Sequence, residues 1–156
     1  MKTLVFGLGN PILSDDGVGI KVVRDLAERI GNDAGISFKE GSVGGLAVLD
    51  EIAGFDRLIV VDSIKTVDGR PGQVHKLNPE DFNTPEHLSN FHGVDFFTAL
   101  KLGKEFGYRM PEDVAIYAVE VQDNVTFCTE CTGLVEKSIP RIVKTLESEL
   151  KETIES

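Results

Sequence analysis

The sequence predicts an α/β domain, a three-layer sandwich in which a twisted, mostly parallel sheet lies between helices. Three observations carry that prediction. Short apolar runs alternate with segments of helical period along the whole chain. The run "RLIVVDS" at 57–63 holds four consecutive apolar residues without alternation, the pattern of a strand covered on both faces. Glycines stand where helical segments should stop, at Gly31 and Gly54.

Taken in order, "TLVF" at 3–6 reads as a buried strand ending on glycines. "GVGIKVVRDLAERIG" follows, with Val18, Val22, Val23, Leu26 and Ile30 at helical spacing. "GISFKEG" is a second strand and "LAVLDEIAG" a second helix. After the strand 57–63, "GRPG" turns the chain into "QVHKL", a further strand. Residues 78–92 are polar and irregular. "VDFFTALKLGKEFG" is a helix, "VAIYAVEV" a buried strand, and "LVEKSIPRIVKTLESELKE" a long last helix with Pro140 as the place for a bend.

The 156 residues fit one domain, 1–156, with 41% hydrophobic and 27% charged content in the globular range. Sixteen basic residues against 26 acidic ones leave a formal charge of −10. That argues against a protein that wraps nucleic acid, whose affinity rests on a basic face. Two cysteines give no secreted disulfide framework. The N-terminus reads as neither a signal peptide nor a membrane span, so a soluble, cytoplasmic protein without a membrane partner is expected.

The stretch "FGLGNPILSDDGVG" at 6–19 raises the functional question. It opens like a phosphate-binding turn, strand then Gly-x-Gly then helix, but Ile12 stands where the third glycine of a dinucleotide fingerprint should fall. Two acids, Asp15 and Asp16, guard a helix start that would otherwise welcome an anion. Capping is the simpler reading for Asp16, since Asp is a favoured N-cap. Ser14 and Asp15 could also cap, which makes the second acid redundant for that purpose. Asp62 ends an apolar strand, where a carboxylate without partners is costly to bury. In such folds the site lies beyond the carboxyl ends of the strands, so Asp16 and Asp62 are placed to share one crevice.

Of the three histidines, His75 falls inside a strand and reads as structural, while His87 and His92 flank the polar loop before a helix. Two carboxylates and an imidazole would form a site for a borderline divalent cation such as nickel, zinc, manganese or iron, with positions left open. "CTEC" at 128–131 is a single CxxC without the second pair of ligands that a structural zinc needs. Cys131 lies near a helix start that could favour its thiolate, but the reading adopted is no chemical role.

"GLGNPILSDDGVG", "EGSVGGLAVLDEIAGFDRLIVVDS", "GRPGQV" and a histidine before a helix, in this order, resemble the maturation endopeptidases of nickel–iron hydrogenases. The resemblance spans nearly the whole chain. It implies an endopeptidase that trims the C-terminal extension of a hydrogenase large-subunit precursor once nickel is inserted. It implies Asp16, Asp62 and His92 as metal-contacting residues, with Asp16 and Asp62 the catalytic carboxylates. The nickel would be that of the precursor, and other divalent cations could substitute. The chain departs from the family at Ser63, where alanine is common after the second aspartate.

Two alternatives compete. Peptidyl-tRNA hydrolases share the opening "GLGNP", but no histidine precedes position 75 here and the charge suits tRNA badly. A non-catalytic metal-dependent binding protein would share every residue named.

Overall fold

Thr3–Leu8 is buried along its whole length and forms the first strand, β1. It is followed by β2 (Ile36–Gly41), β3 (Arg57–Ile64), β4 (Val74–Leu77) and β5 (Asp113–Glu120). The computed structural model describes residues 1–31, 35–41, 47–78 and 93–155. The strands form one sheet in the order β2-β1-β3-β5-β4. All neighbours are parallel except β4, which runs antiparallel to β5. Residues 65–73 are too few for a crossover helix between parallel strands, so the chain doubles back at "GRPG" and β4 takes the sheet edge.

Among the described residues, four helices cover the sheet: α1 (Val18–Ile30), α2 (Ala47–Ile52), α3 (Gly93–Glu105) and α4 (Gly133–Glu155). Alternation along the central strands sorts their side chains onto two cores. Val5, Ile59, Val61, Tyr117 and Val119 pack with Val22, Leu26, Ile139 and Leu146 of α1 and α4. Leu4, Phe6, Leu58, Val60, Ile116 and Ala118 pack with Leu49 and Ile52 of α2 and Leu100 of α3. Each large aliphatic side chain so buried contributes about 1.5–3 kcal/mol. Burial on both faces explains why these strands read as continuous apolar runs.

The last helix continues through Pro140. Glu136 and Pro140 are both exposed, so the carbonyl that loses its N–H partner lies on the solvent side of α4. Among the described residues, no helix is long and apolar enough to cross a membrane.

The order of strands sets the place of the site. From β1 the chain passes through α1 to β2 on one side, then reaches β3 on the other side of β1. The crevice between the carboxyl ends of β1 and β3 is therefore the topological switch point, where ligands bind in open α/β sheets. Helix α1 starts directly over it. A Cβ on Gly19 would stand 2.2 Å from the Val61 carbonyl oxygen and 2.8 Å from that of Leu8, so only glycine admits this approach.

Candidate active site

The loop leaving β1 is shaped by two unusual backbone positions. Gly9 has φ +144°, and a Cβ there would lie 2.1 Å from the Asp16 carbonyl oxygen. Gly7 is still inside β1 and serves the close packing of α1, where a Cβ would meet the Gly19 carbonyl oxygen at 2.9 Å. Ser14, not a glycine, takes a left-handed φ of 50°. Its N–H donates to the Cys128 carbonyl at 2.8 Å and its hydroxyl to that of Glu130 at 3.1 Å, which offsets the strain.

Ser14–Gly17 then forms one buried 3₁₀ turn, and the two acids within it part company. Neither this turn nor α1 has a side-chain cap, so the capping reading of Asp16 is corrected. The N-cap of α1 is Gly17, and the turn ahead of it carries Asp16 elsewhere. Asp16 Oδ1 accepts from the Ser63 hydroxyl at 2.9 Å, and Oδ2 from the Asn10 N–H at 2.9 Å. Asp62, fully buried at the end of β3, accepts at Oδ1 from the Ser63 N–H at 2.8 Å. Ser63 thus donates to both carboxylates, one through its side chain and one through its backbone. Asp16 and Asp62 therefore meet at one residue, Ser63, whose part the sequence reading missed. Its signal was the departure from alanine at that position.

Asp15 has a different task. It is fully buried, and its carboxylate accepts from the N–H groups of Gln122, Asp123 and Thr132 at 3.0, 3.0 and 2.6 Å, and from the Thr132 hydroxyl at 2.7 Å. These four bonds tie the loop after β5 to the loop after β1. The acid pair is therefore one structural anchor followed by one crevice residue.

His87 and His92 lie outside the described residues. Among the described residues, no group of three or more His, Cys, Asp and Glu is arranged to hold a metal ion. The part of the expected set that is described is the carboxylate pair, whose oxygens suit a hard or borderline divalent cation. His75 is in β4 as expected, and its Nε2 lies 3.1 Å from Oε1 of Glu120, an acid that is 1% exposed. Sequence reading passed over Glu120, although it ends an apolar strand just as Asp62 does.

Cys128 is exposed and Cys131 half-buried, and neither forms a disulfide. Burial pushes the Cys131 thiol up, against the thiolate that a nearby helix start would favour. The double variant Cys128→Ser, Cys131→Ser should process substrate at close to the wild-type rate. A reduction in initial rate of tenfold or more, roughly 1.4 kcal/mol, would give the CxxC a chemical role.

Comparison with known proteins agrees with this architecture. The family model for hydrogenase maturation protease (HycI) matches residues 20–149. The Hydrogenase 2 maturation protease of Escherichia coli K12 is 23% identical over 158 residues, covering 99% of this chain and 96% of its own. The hydrogenase expression/formation protein HupD of Rhodobacter capsulatus is 32% identical over 110 residues, 69% of this chain and 51% of its own. Among solved structures, the hydrogenase maturating endopeptidase HybD from E. coli superposes with a TM-score of 0.80 at 22% identity, covering 98% of this chain and 94% of that one. The [NiFe] hydrogenase maturation protease HybD from Thermococcus kodakarensis gives 0.74 at 22% identity, covering 95% and 98%. At these identities the structures establish the fold, and the family model, matching most of the chain, establishes that the chain belongs to the hydrogenase maturation proteases.

Proposed function

We propose that this protein removes the C-terminal extension of a nickel–iron hydrogenase large-subunit precursor after nickel has been inserted, and that it does so in the cytoplasm. The observation that carries the reading is the junction at Ser63, which brings Asp16 and Asp62 together at the switch point. Family membership supplies the reaction class, peptide-bond hydrolysis on a hydrogenase precursor. The carboxylates supply oxygen ligands for the nickel of the substrate, with His92 as a nitrogen ligand. Other divalent cations could take the same place. Held there, the ion would draw electron density from the scissile carbonyl.

Two features support recognition of the metal over a resident zinc. The chain has no H-E-x-x-H helix, the usual signature of a zinc peptidase. Asp62 is fully buried and Asp16 is 5% exposed, and two such carboxylates are costly to bury without a cation. A loaded precursor brings that cation with it, and a nickel-free precursor does not.

Nickel-loaded precursor should therefore be shortened, with the mass of one C-terminal peptide lost, while nickel-free precursor keeps its full mass over the same time. Equal cleavage of both would reject metal recognition. Retention of both masses would favour a non-catalytic metal-dependent binding protein.

A further inference from the structure

Peptide hydrolysis needs a group that takes a proton from water and returns one to the leaving nitrogen. In the reading above, on which this inference rests, Asp16 and Asp62 are engaged with the cation. Strands β4 and β5 carry a second pair of groups on the same face of the sheet.

The register shows this directly. Asp62 is opposite Ala118 across β3 and β5, and Ala118 is opposite His75 across β5 and β4. Directly opposed residues share a face, so the three form one row, in which Asp62 and His75 flank an alanine. Two strand spacings separate their Cα atoms by about 9–10 Å. The only side chain β5 places between them is a methyl group. Glu120, two residues past Ala118, lies on the same face.

The surroundings divide the roles. Glu120 accepts from the Thr66 N–H at 3.3 Å and from the Thr66 hydroxyl, besides its bond to His75. A Cβ on Gly69 would fall 1.9–2.1 Å from the three carboxyl atoms, so the 65–73 connection closes directly over them. Glu120 is thereby sealed from any substrate. The His75 side chain is 30% exposed, and its Nε2 is the nitrogen that Glu120 holds. With Nε2–H donated to the carboxylate, Nδ1 is the ring's basic nitrogen. A sealed carboxylate orienting a reachable imidazole is the arrangement that hydrolases use for proton transfer.

We propose that His75 is the proton carrier of this protease and Glu120 its positioning residue. Nδ1 of His75 takes one proton from water as the water oxygen bonds to the scissile carbonyl carbon. The resulting imidazolium is stabilised by the Glu120 carboxylate. When the C–N bond breaks, its electron pair goes to nitrogen, which receives that same proton. The products are a carboxylic acid and an amine, and His75 is neutral again.

The test uses nickel-loaded precursor with wild type, His75→Gln, Glu120→Gln and His75→Ala. A glutamine amide at 75 still donates to Glu120 but cannot take up a proton from water. His75→Gln is expected to cleave about 100-fold more slowly or worse, with precursor binding and melting temperature unchanged. Glu120→Gln, also folded by melting, should slow cleavage as well, and free imidazole should revive His75→Ala. Wild-type cleavage by His75→Gln would overturn the proposal and leave His75 structural. A slow His75→Gln together with an unrevived His75→Ala would overturn it too, since the loss would then come from packing. Failure of the wild type to cleave would instead reject the precursor reading, and this inference with it.

Discussion

Asp16→Asn and Asp62→Asn are each expected to lower cleavage of nickel-loaded precursor by more than about 100-fold. Outer partners of metal ligands already cost 10–100-fold when removed, so a ligand should exceed that. Asparagine at 62 retains an oxygen to accept from the Ser63 N–H. At 16 its oxygen can accept from the Asn10 N–H while its NH2 donates to the Ser63 hydroxyl, so the negative charge is lost with less disturbance of the loop than alanine would cause. Alanine would be a poorer test. Asp16→Ala leaves the Ser63 hydroxyl and the Asn10 N–H without their acceptor, at about 1–3 kcal/mol for each unsatisfied group. A change in stability would then cloud the change in rate. Nickel binding by calorimetry, precursor mass and melting temperature on the same asparagine variants separate the two effects. Near-normal cleavage by either variant would remove that residue from the site.

Asp15→Ala should have the opposite profile, with a large loss of stability and only an indirect loss of activity. Four donors converge on this fully buried carboxylate, three of them backbone N–H groups. Hydrogen bonds to a charged group are worth about 1.5–3 kcal/mol each, so removing the acceptor should destabilise the fold by at least about 3 kcal/mol. That is a substantial part of the 5–15 kcal/mol typical of a domain. Chemical denaturation measures it, as a lower midpoint with an unchanged slope. Protein that remains folded at low temperature should still bind nickel. A stability within about 0.5 kcal/mol of wild type, the range of ordinary surface substitutions, would mean that Asp15 does not anchor the two loops.

Asp15 and Asp16 also show where sequence reading stopped. Side by side just ahead of the helix, with the same side chain, they offer no local property that separates an anchor from a crevice residue. The separation comes from Ser14, whose left-handed φ starts the 3₁₀ turn, and from Thr132, a partner 117 residues away. Glu120 is a similar case. An acid closing an apolar strand was legible, but its meaning depends on Gly69 and His75, which arrive from a connection and an edge strand whose antiparallel course was not read.

What the sequence determined by itself was the layered α/β architecture and the crevice. Unbroken apolar runs can be buried only in strands covered on both faces, and helical spacing fixes which residues face the sheet. The motif after β1 and the acid ending β3 then fall at one edge because every parallel strand points the same way. Tertiary structure alone decided which acids meet. Ser63 touches Asp16 across 47 residues and Asp15 touches Thr132 across 117. Hydrogen bonds of 2.6–2.9 Å depend on backbone placement to within a few tenths of an ångström. Periodicity and propensity carry no information at that scale, because they act within a turn or a strand and not between chain segments brought together by packing.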